Sequence, residues 1–104
     1  MNFILGIYST PSESNTLSAF NFAKTVLSQN HAISQIFFYQ GGVLNACSLQ
    51  PLFTELNIPL LACSTALLKR NIDPNQLTEG FQAASLTQFF DVLLKADRYV
   101  IFGN

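Results

Sequence analysis

Ile58-Pro59-Leu60-Leu61-Ala62-Cys63-Ser64-Thr65-Ala66-Leu67-Leu68-Lys69-Arg70 decides the fold of this chain. Its first half is short, almost wholly apolar and ends in a cysteine, while its second half is built of helix-forming residues. It therefore reads as a buried strand, a tight turn and a helix N-terminus. The unpaired N–H groups and positive dipole end of a new helix favour a thiolate over a thiol. Cys63 is the candidate reactive residue.

Two more apolar runs of strand length precede it. Asn2-Phe3-Ile4-Leu5-Gly6-Ile7-Tyr8 is too continuous for a sheet with one wet face and predicts a buried first strand, with Gly6 allowing close packing. Ile33-Ser34-Gln35-Ile36-Phe37-Phe38-Tyr39, rich in β-branched and aromatic residues, predicts a second. Between them, residues 9–15 form a polar loop with several helix caps, and Leu17, Ala19, Phe20, Ala23, Val26 and Leu27 give a helix over 15–29 its apolar face. Asn30 suits a left-handed residue after that helix, and His31 follows as a capping or packing residue. Gln40-Gly41-Gly42 ends the second strand. Because Pro51 is badly placed inside a helix, residues 43–49 are expected to be an irregular turn and a short helix to start near Pro51.

After Arg70, turn residues break the chain over 71–75, and 76–79 has room for one helical turn. Residues 80–84 suit a short edge strand. Ser85 and Gln88 have capping-box spacing, and Leu86, Phe89, Phe90 and Leu93 repeat at i, i+3, i+4, i+7, which predicts a helix. Arg98-Tyr99-Val100-Ile101-Phe102 is a last strand. Strands alternating with helices predict an α/β fold: a three-layer α/β/α domain, doubly wound, around a mostly parallel sheet of about five strands.

Composition narrows the partners. At 104 residues the chain is expected to be one domain over 1–104, large enough to bury roughly 65% of its unfolded surface. Five basic against six acidic residues, with no run of either sign, exclude the electrostatic footprint of a direct nucleic-acid binder. Only 11% of residues are charged and 49% are hydrophobic, where an ordinary soluble domain carries about 25% charged. That shortage predicts a surface partly buried against other subunits, in a homo- or hetero-oligomer. The apolar runs fall short of the ~20 residues of a membrane span, and Met1-Asn2-Phe3-Ile4-Leu5 lacks the basic start of a signal peptide. A cytoplasmic protein is expected.

Cys47, Cys63 and the single histidine, His31, lack metal-ligand spacing, so no metal site is expected. Ligands of open α/β sheets bind beyond the carboxyl ends of the strands, where the 9–14 loop, the 39–45 loop and Cys63 with Ser64 and Thr65 should gather. A cysteine hydrolase needs a histidine, and His31 is expected near the amino ends of the strands instead. Hydrolysis is disfavoured. Thiol exchange and sulfur transfer need only a thiolate, a donor sulfur and a good leaving group, and no cofactor.

Phe37-Phe38-Tyr39-Gln40-Gly41-Gly42-Val43-Leu44-Asn45-Ala46, Ala62-Cys63-Ser64-Thr65-Ala66-Leu67-Leu68-Lys69-Arg70, Gly80-Phe81 and the 86–102 tail together resemble the DsrE/DsrF family. Ser18-Ala19-Phe20-Asn21-Phe22-Ala23 extends the likeness over nearly the whole chain. The resemblance implies a sulfur carrier that holds a sulfane sulfur as a persulfide on Cys63 and relays it between a donor and an acceptor protein, in one branch toward 2-thiolation of tRNA wobble uridines. Within that reading the N–H groups of Ser64 and Thr65 hold the sulfur, Tyr39 and Val43 wall the pocket, and Lys69 and Arg70 steer an acidic partner. Cys47 is either a packing residue or a second, resolving thiol. Two other readings stand beside it: a non-catalytic scaffold subunit, and a flavodoxin-like nucleotide or flavin binder using the 9–14 loop as a phosphate cradle, although that loop has no glycine.

Overall fold

Parallel pairing organises the chain, seen here in a computed structural model described over residues 1–48 and 52–103. The strands are β1 (Asn2–Ile7), β2 (Ala32–Phe38), β3 (Leu60–Cys63), β4 (Phe81–Ala84) and β5 (Arg98–Phe102). They form one sheet in the order β4-β3-β2-β1-β5, and every pairing is parallel. The helices are α1 (Ser14–Ser28), α2 (Ser64–Lys69) and α3 (Leu86–Leu93). This is the α/β architecture with a parallel five-stranded sheet that the strand–helix alternation predicts.

Side-chain alternation along the strands assigns the two faces. Phe3 of β1 meets Phe22 of α1 edge-on at 6.0 Å, so Phe3, Leu5 and Ile7 look toward α1. Gly6 and its register partner Phe37 look the other way, where Phe37 stacks on Phe89 of α3 at 4.4 Å. Three steps, β1 to β2 to β3 to β4, move in one direction across the sheet, and the long return from β4 to β5 runs back over it. Right-handed crossovers then put α1 and α3 on opposite faces. The core between them is aromatic: Phe37, Phe38, Phe53 and Phe89 are all but fully buried.

Several local features follow the sequence. Asn30 has the left-handed φ of 65° expected after α1. At α3 the capping box forms, with the Ser85 Oγ accepting from the Gln88 N–H at 3.2 Å and the Gln88 side chain accepting from the Ser85 N–H at 2.8 Å. Phe81–Ala84 is an edge strand, as its length suggested.

Other features differ. Leu17, placed on the apolar face of α1, is 55% exposed, and Thr16 is buried in its stead. The Thr16 hydroxyl donates to the Thr10 carbonyl at 2.6 Å and pairs with Ser9 Oγ at 2.7 Å, which satisfies a polar group on the inner face. The expected irregular turn is a 3₁₀ helix, Gln40–Cys47, and a second follows at Phe53–Leu56. Pro51, where a helix start was expected, lies outside the described residues. The helical turn after α2 is Pro74–Gln76 rather than 76–79, because Asp73 caps it and Pro74 suits its first position.

Gly42 explains why the first 3₁₀ helix can sit where it does. A β-carbon at Gly42 would collide with the main-chain carbonyl of Ile7, so the segment packs backbone to backbone on the end of β1. Asn45 ties the same segment to the preceding loop by donating to the Ser9 carbonyl at 3.1 Å. Gly42→Ala is therefore expected to cost about 1–3 kcal/mol, read as a lower midpoint in urea unfolding. On β2, Gln35 is 3% exposed and its Nε2 has no hydrogen-bond partner. Gln35→Met, which keeps the length and removes the unpaired amide, is expected to raise stability by about 1 kcal/mol in the same measurement.

Candidate functional site

Cys63 closes β3 and is the N-cap residue of α2, with φ −59° and ψ 117°. Parallel pairing of Phe37 with Leu61 and Phe38 with Ala62 carries Tyr39 to the position beside it. The chain thus brings two side chains from adjacent strand ends onto the α3 face of the sheet. Cys63 is only 3% exposed, yet it lines a surface cleft of about 190 Å³.

Three elements build the walls. Tyr39 and Gln40 come from the end of β2, Thr65, Ala66, Lys69 and Arg70 from one side of α2 and its end, and Leu86 from the start of α3. Lys69 and Arg70 are two of only five basic residues in the chain, and among the described residues no acidic one lines the cleft. The mouth is cationic, which favours an anionic sulfur species inside and an acidic surface outside. A larger cavity of about 380 Å³ lies over Pro59, Leu60, Leu61, Gly80, Phe81 and Gln82, away from Cys63 and with no ionisable side chain. It offers no chemistry.

Tyr39 is the most constrained wall. Its ring stacks on Tyr8 at 5.0 Å and 20°, and meets Phe37 edge-on at 4.6 Å and Phe89 at 5.8 Å. Burial, then the neighbouring Tyr8 and Cys63, push its pKa up to about 12. The phenol stays protonated wherever the protein works.

The other residues singled out from the sequence divide. Thr65 lines the cleft, whereas the Ser64 hydroxyl turns to the sheet and donates to the Ala84 carbonyl at 3.1 Å, fixing the start of α2 against the end of β4. Val43, expected to wall the pocket, is fully buried in the core and is not part of the cleft lining. Its register in the 3₁₀ helix turns it inward, a detail that an irregular turn could not reveal. Cys47 is half-buried, donates through its Sγ to the Val43 carbonyl at 3.7 Å, and does not line the cleft. Burial pushes its thiol pKa up, which suits packing better than attack on a persulfide.

His31 stands just before β2, with its Nδ1 3.1 Å from the Met1 nitrogen and its ring edge-on to Phe3. In a parallel sheet that is the end opposite Cys63. No histidine serves the thiol as base. Among the described residues no cluster of three His, Cys, Asp or Glu side chains could hold a metal ion. No helix among them is long and apolar enough to cross a membrane. The 9–14 loop is filled from within: the Glu13 carboxylate accepts from the Thr10 N–H at 2.9 Å. A carboxylate already occupies the place a phosphate would need, which removes the support for a nucleotide cradle.

Leu86 and the partners of Tyr39 escaped the sequence reading, while Gln40 fell within the 39–45 loop expected at this edge. Leu86 had a signal, since the capped start of α3 must lie beyond the carboxyl end of β4. Tyr8 had none, because its stacking on Tyr39 depends on the β1–β2 register.

Comparison with known proteins bears on the family and the fold. Residues 1–102 match the DsrE/DsrF-like family. The chain is 38% identical to a sulfurtransferase TusD homolog of Aliivibrio fischeri, over 81% of this chain and 84% of that protein. It is 32% identical to the sulfurtransferase TusD of Erwinia tasmaniensis, over 82% of this chain and 86% of that one. In fold it follows the ychN protein from E. coli, with a TM-score of 0.80 over 98% of this chain and 100% of that chain at 21% identity. The chain belongs to the DsrE/DsrF-like family, among relatives named as TusD sulfurtransferases.

Proposed function

We propose that this protein is a sulfur carrier: it accepts a sulfane sulfur as a persulfide on Cys63 and passes it to a partner protein in a relay of the tRNA 2-thiouridine type. The observation that carries this reading is the placement of Cys63 at the floor of a cationic cleft, at a strand end, with no base beside it. Hydrolysis lacks a proton acceptor there, and thiol exchange needs none. Loading forms a bond from the Cys63 Sγ to the terminal sulfur of a donor persulfide and releases the donor thiolate. Unloading reverses the step toward an acceptor thiolate. Thr65 and Tyr39 wall the carried sulfur, and Lys69 and Arg70 draw an acidic partner surface to the mouth.

The partners that fit are a TusA-like donor and a TusE-like acceptor, both proteins, with no direct contact to tRNA and with a cytoplasmic setting. Assembly with further DsrE-family subunits, identical or not, also belongs to this reading. Leu86, Phe90 and Leu94 are 38%, 52% and 85% exposed and repeat every four residues along α3 and its end, a stripe that water covers poorly. The stripe begins at the cleft, so a neighbouring subunit seated on it borders the site. With Phe90→Arg and Leu94→Arg together, light scattering is expected to show a smaller particle than the wild type.

Incubation with a persulfidated donor protein, followed by intact mass spectrometry, tests the carrier itself. The wild type is expected to gain one sulfur atom's mass and Cys63→Ser to gain none. A gain that persists in Cys63→Ser moves the site elsewhere, and a wild type that gains nothing leaves only the scaffold reading.

A further inference from the structure

We propose that the Tyr39 hydroxyl donates a hydrogen bond to the sulfur carried on Cys63, with Tyr8 and Tyr99 as positioning residues that hold the Tyr39 ring; this rests on the carrier reading of Cys63. The chain has only three tyrosines, and although they lie in different parts of the sequence they form one cluster: Tyr8 stacks on Tyr39, Tyr99 lies against Tyr8, and Tyr39 shares the cleft with Cys63. Such convergence calls for a role beyond filling space, since phenylalanine fills the neighbouring positions of the same aromatic cluster.

Geometry places the donor. Neighbouring parallel strands lie about 4.8 Å apart, and Tyr39 follows β2 in register with Cys63 at the end of β3. Both line the same cleft. The Tyr39 ring cannot swing away, because Tyr8 stacks flat on it while Phe37 and Phe89 close its edges. Tyr99 reaches in from β5 across Gly6, where an added β-carbon would lie 2.5 Å from its Oη, and its phenol lies beside that of Tyr8. Gly6 is thus the gap through which the third tyrosine supports the second. No described residue is seen to accept a hydrogen bond from the Tyr39 hydroxyl, and Tyr39 lines the cleft that a guest sulfur would occupy.

The chemistry supplies the guest. When the Cys63 thiolate attacks the outer sulfur of R–S–SH, the Sγ–S bond forms, the donor's own S–S bond breaks and R–S⁻ leaves; the sulfane sulfur changes carrier without net oxidation or reduction. Loss of the S–H proton to solvent leaves an anion on the terminal sulfur. That anion sits above a residue only 3% exposed, so water solvates it poorly and a hydrogen bond to it is charge-assisted. A phenol that burial keeps protonated serves as a donor throughout the cycle. Lys69 and Arg70 supply charge at the mouth; Tyr39 supplies direction at the floor.

The test loads the full chain with glutathione persulfide, removes the donor, adds excess dithiothreitol and follows loss of the extra sulfur by intact mass. Tyr39→Phe, which keeps the ring, is expected to lose its load roughly tenfold faster than the wild type at an unchanged unfolding midpoint. Its persulfide absorption band in the near ultraviolet should move to longer wavelength, a shift that a purely structural role does not produce. Tyr8→Phe and Tyr99→Phe keep the donor but loosen it, and their loss rates should fall between the two. Equal lifetimes and bands in wild type and Tyr39→Phe overturn the proposal while leaving the carrier standing. Should Tyr39→Phe unfold, wild-type lifetimes in both Tyr8→Phe and Tyr99→Phe overturn it instead. A wild type that takes up no sulfur, as Cys63→Ser should not, overturns both.

Discussion

All strand pairings in this sheet run parallel, and that single constraint fixes where chemistry can happen. Parallel strands send every chain exit to one edge and every entrance to the other. Cys63, Tyr39 and the start of α3 are all exits; His31 is an entrance. The separation of thiol from imidazole is therefore topological, and no rotamer change could bring them together. A thiol without a base is a poor hydrolase and an adequate carrier, so the direction of the strands already narrows the reaction class.

The second constraint is space. A cysteine at 3% exposure is guarded from bulk solvent, and the cleft above it admits a chain end or a small sulfur compound more readily than a folded surface. Retention and delivery pull in opposite directions in any carrier: what shields the sulfur from stray thiols also slows its intended acceptor. Under the proposed carrier role the shielding falls to the rings of Tyr39, just after β2, and Phe89 of α3, and attraction to the exposed basic side chains of Lys69 and Arg70 at the end of α2. In that role the two demands fall to different elements.

Much of this was legible in the sequence, and the boundary of legibility is itself physical. Apolar runs bounded by turn residues found β1, β2 and β3, and spacing found the capped start of α3, because those signals are local. The position of Cys63 at a strand end was legible for the same reason: strand, thiol and helix start are contiguous. Val43 was misplaced because Gly41-Gly42 was read as the end of an element, when Gly42 instead lets a 3₁₀ helix press its backbone on β1. Leu17 was misplaced because a threonine with two buried oxygen neighbours claimed the inner face. The tyrosine cluster was invisible, since it depends on strand order and on the register of residues more than thirty positions apart. Long-range partnership has no local signature.

The order of the strands carries one more implication, for the birth of the molecule. Of the five strands described, β1 is made first and one of its two neighbours, β5, last. Until residues 98–102 leave the ribosome, β1 keeps an open row of main-chain donors and acceptors along one side, in an otherwise apolar strand. At ~5–20 residues per second that interval lasts several seconds, long enough for a nascent chain to pair with the wrong neighbour. β5 acts as the seal on a sheet whose other four strands are made before it, and its loss would leave that side of β1 unpaired.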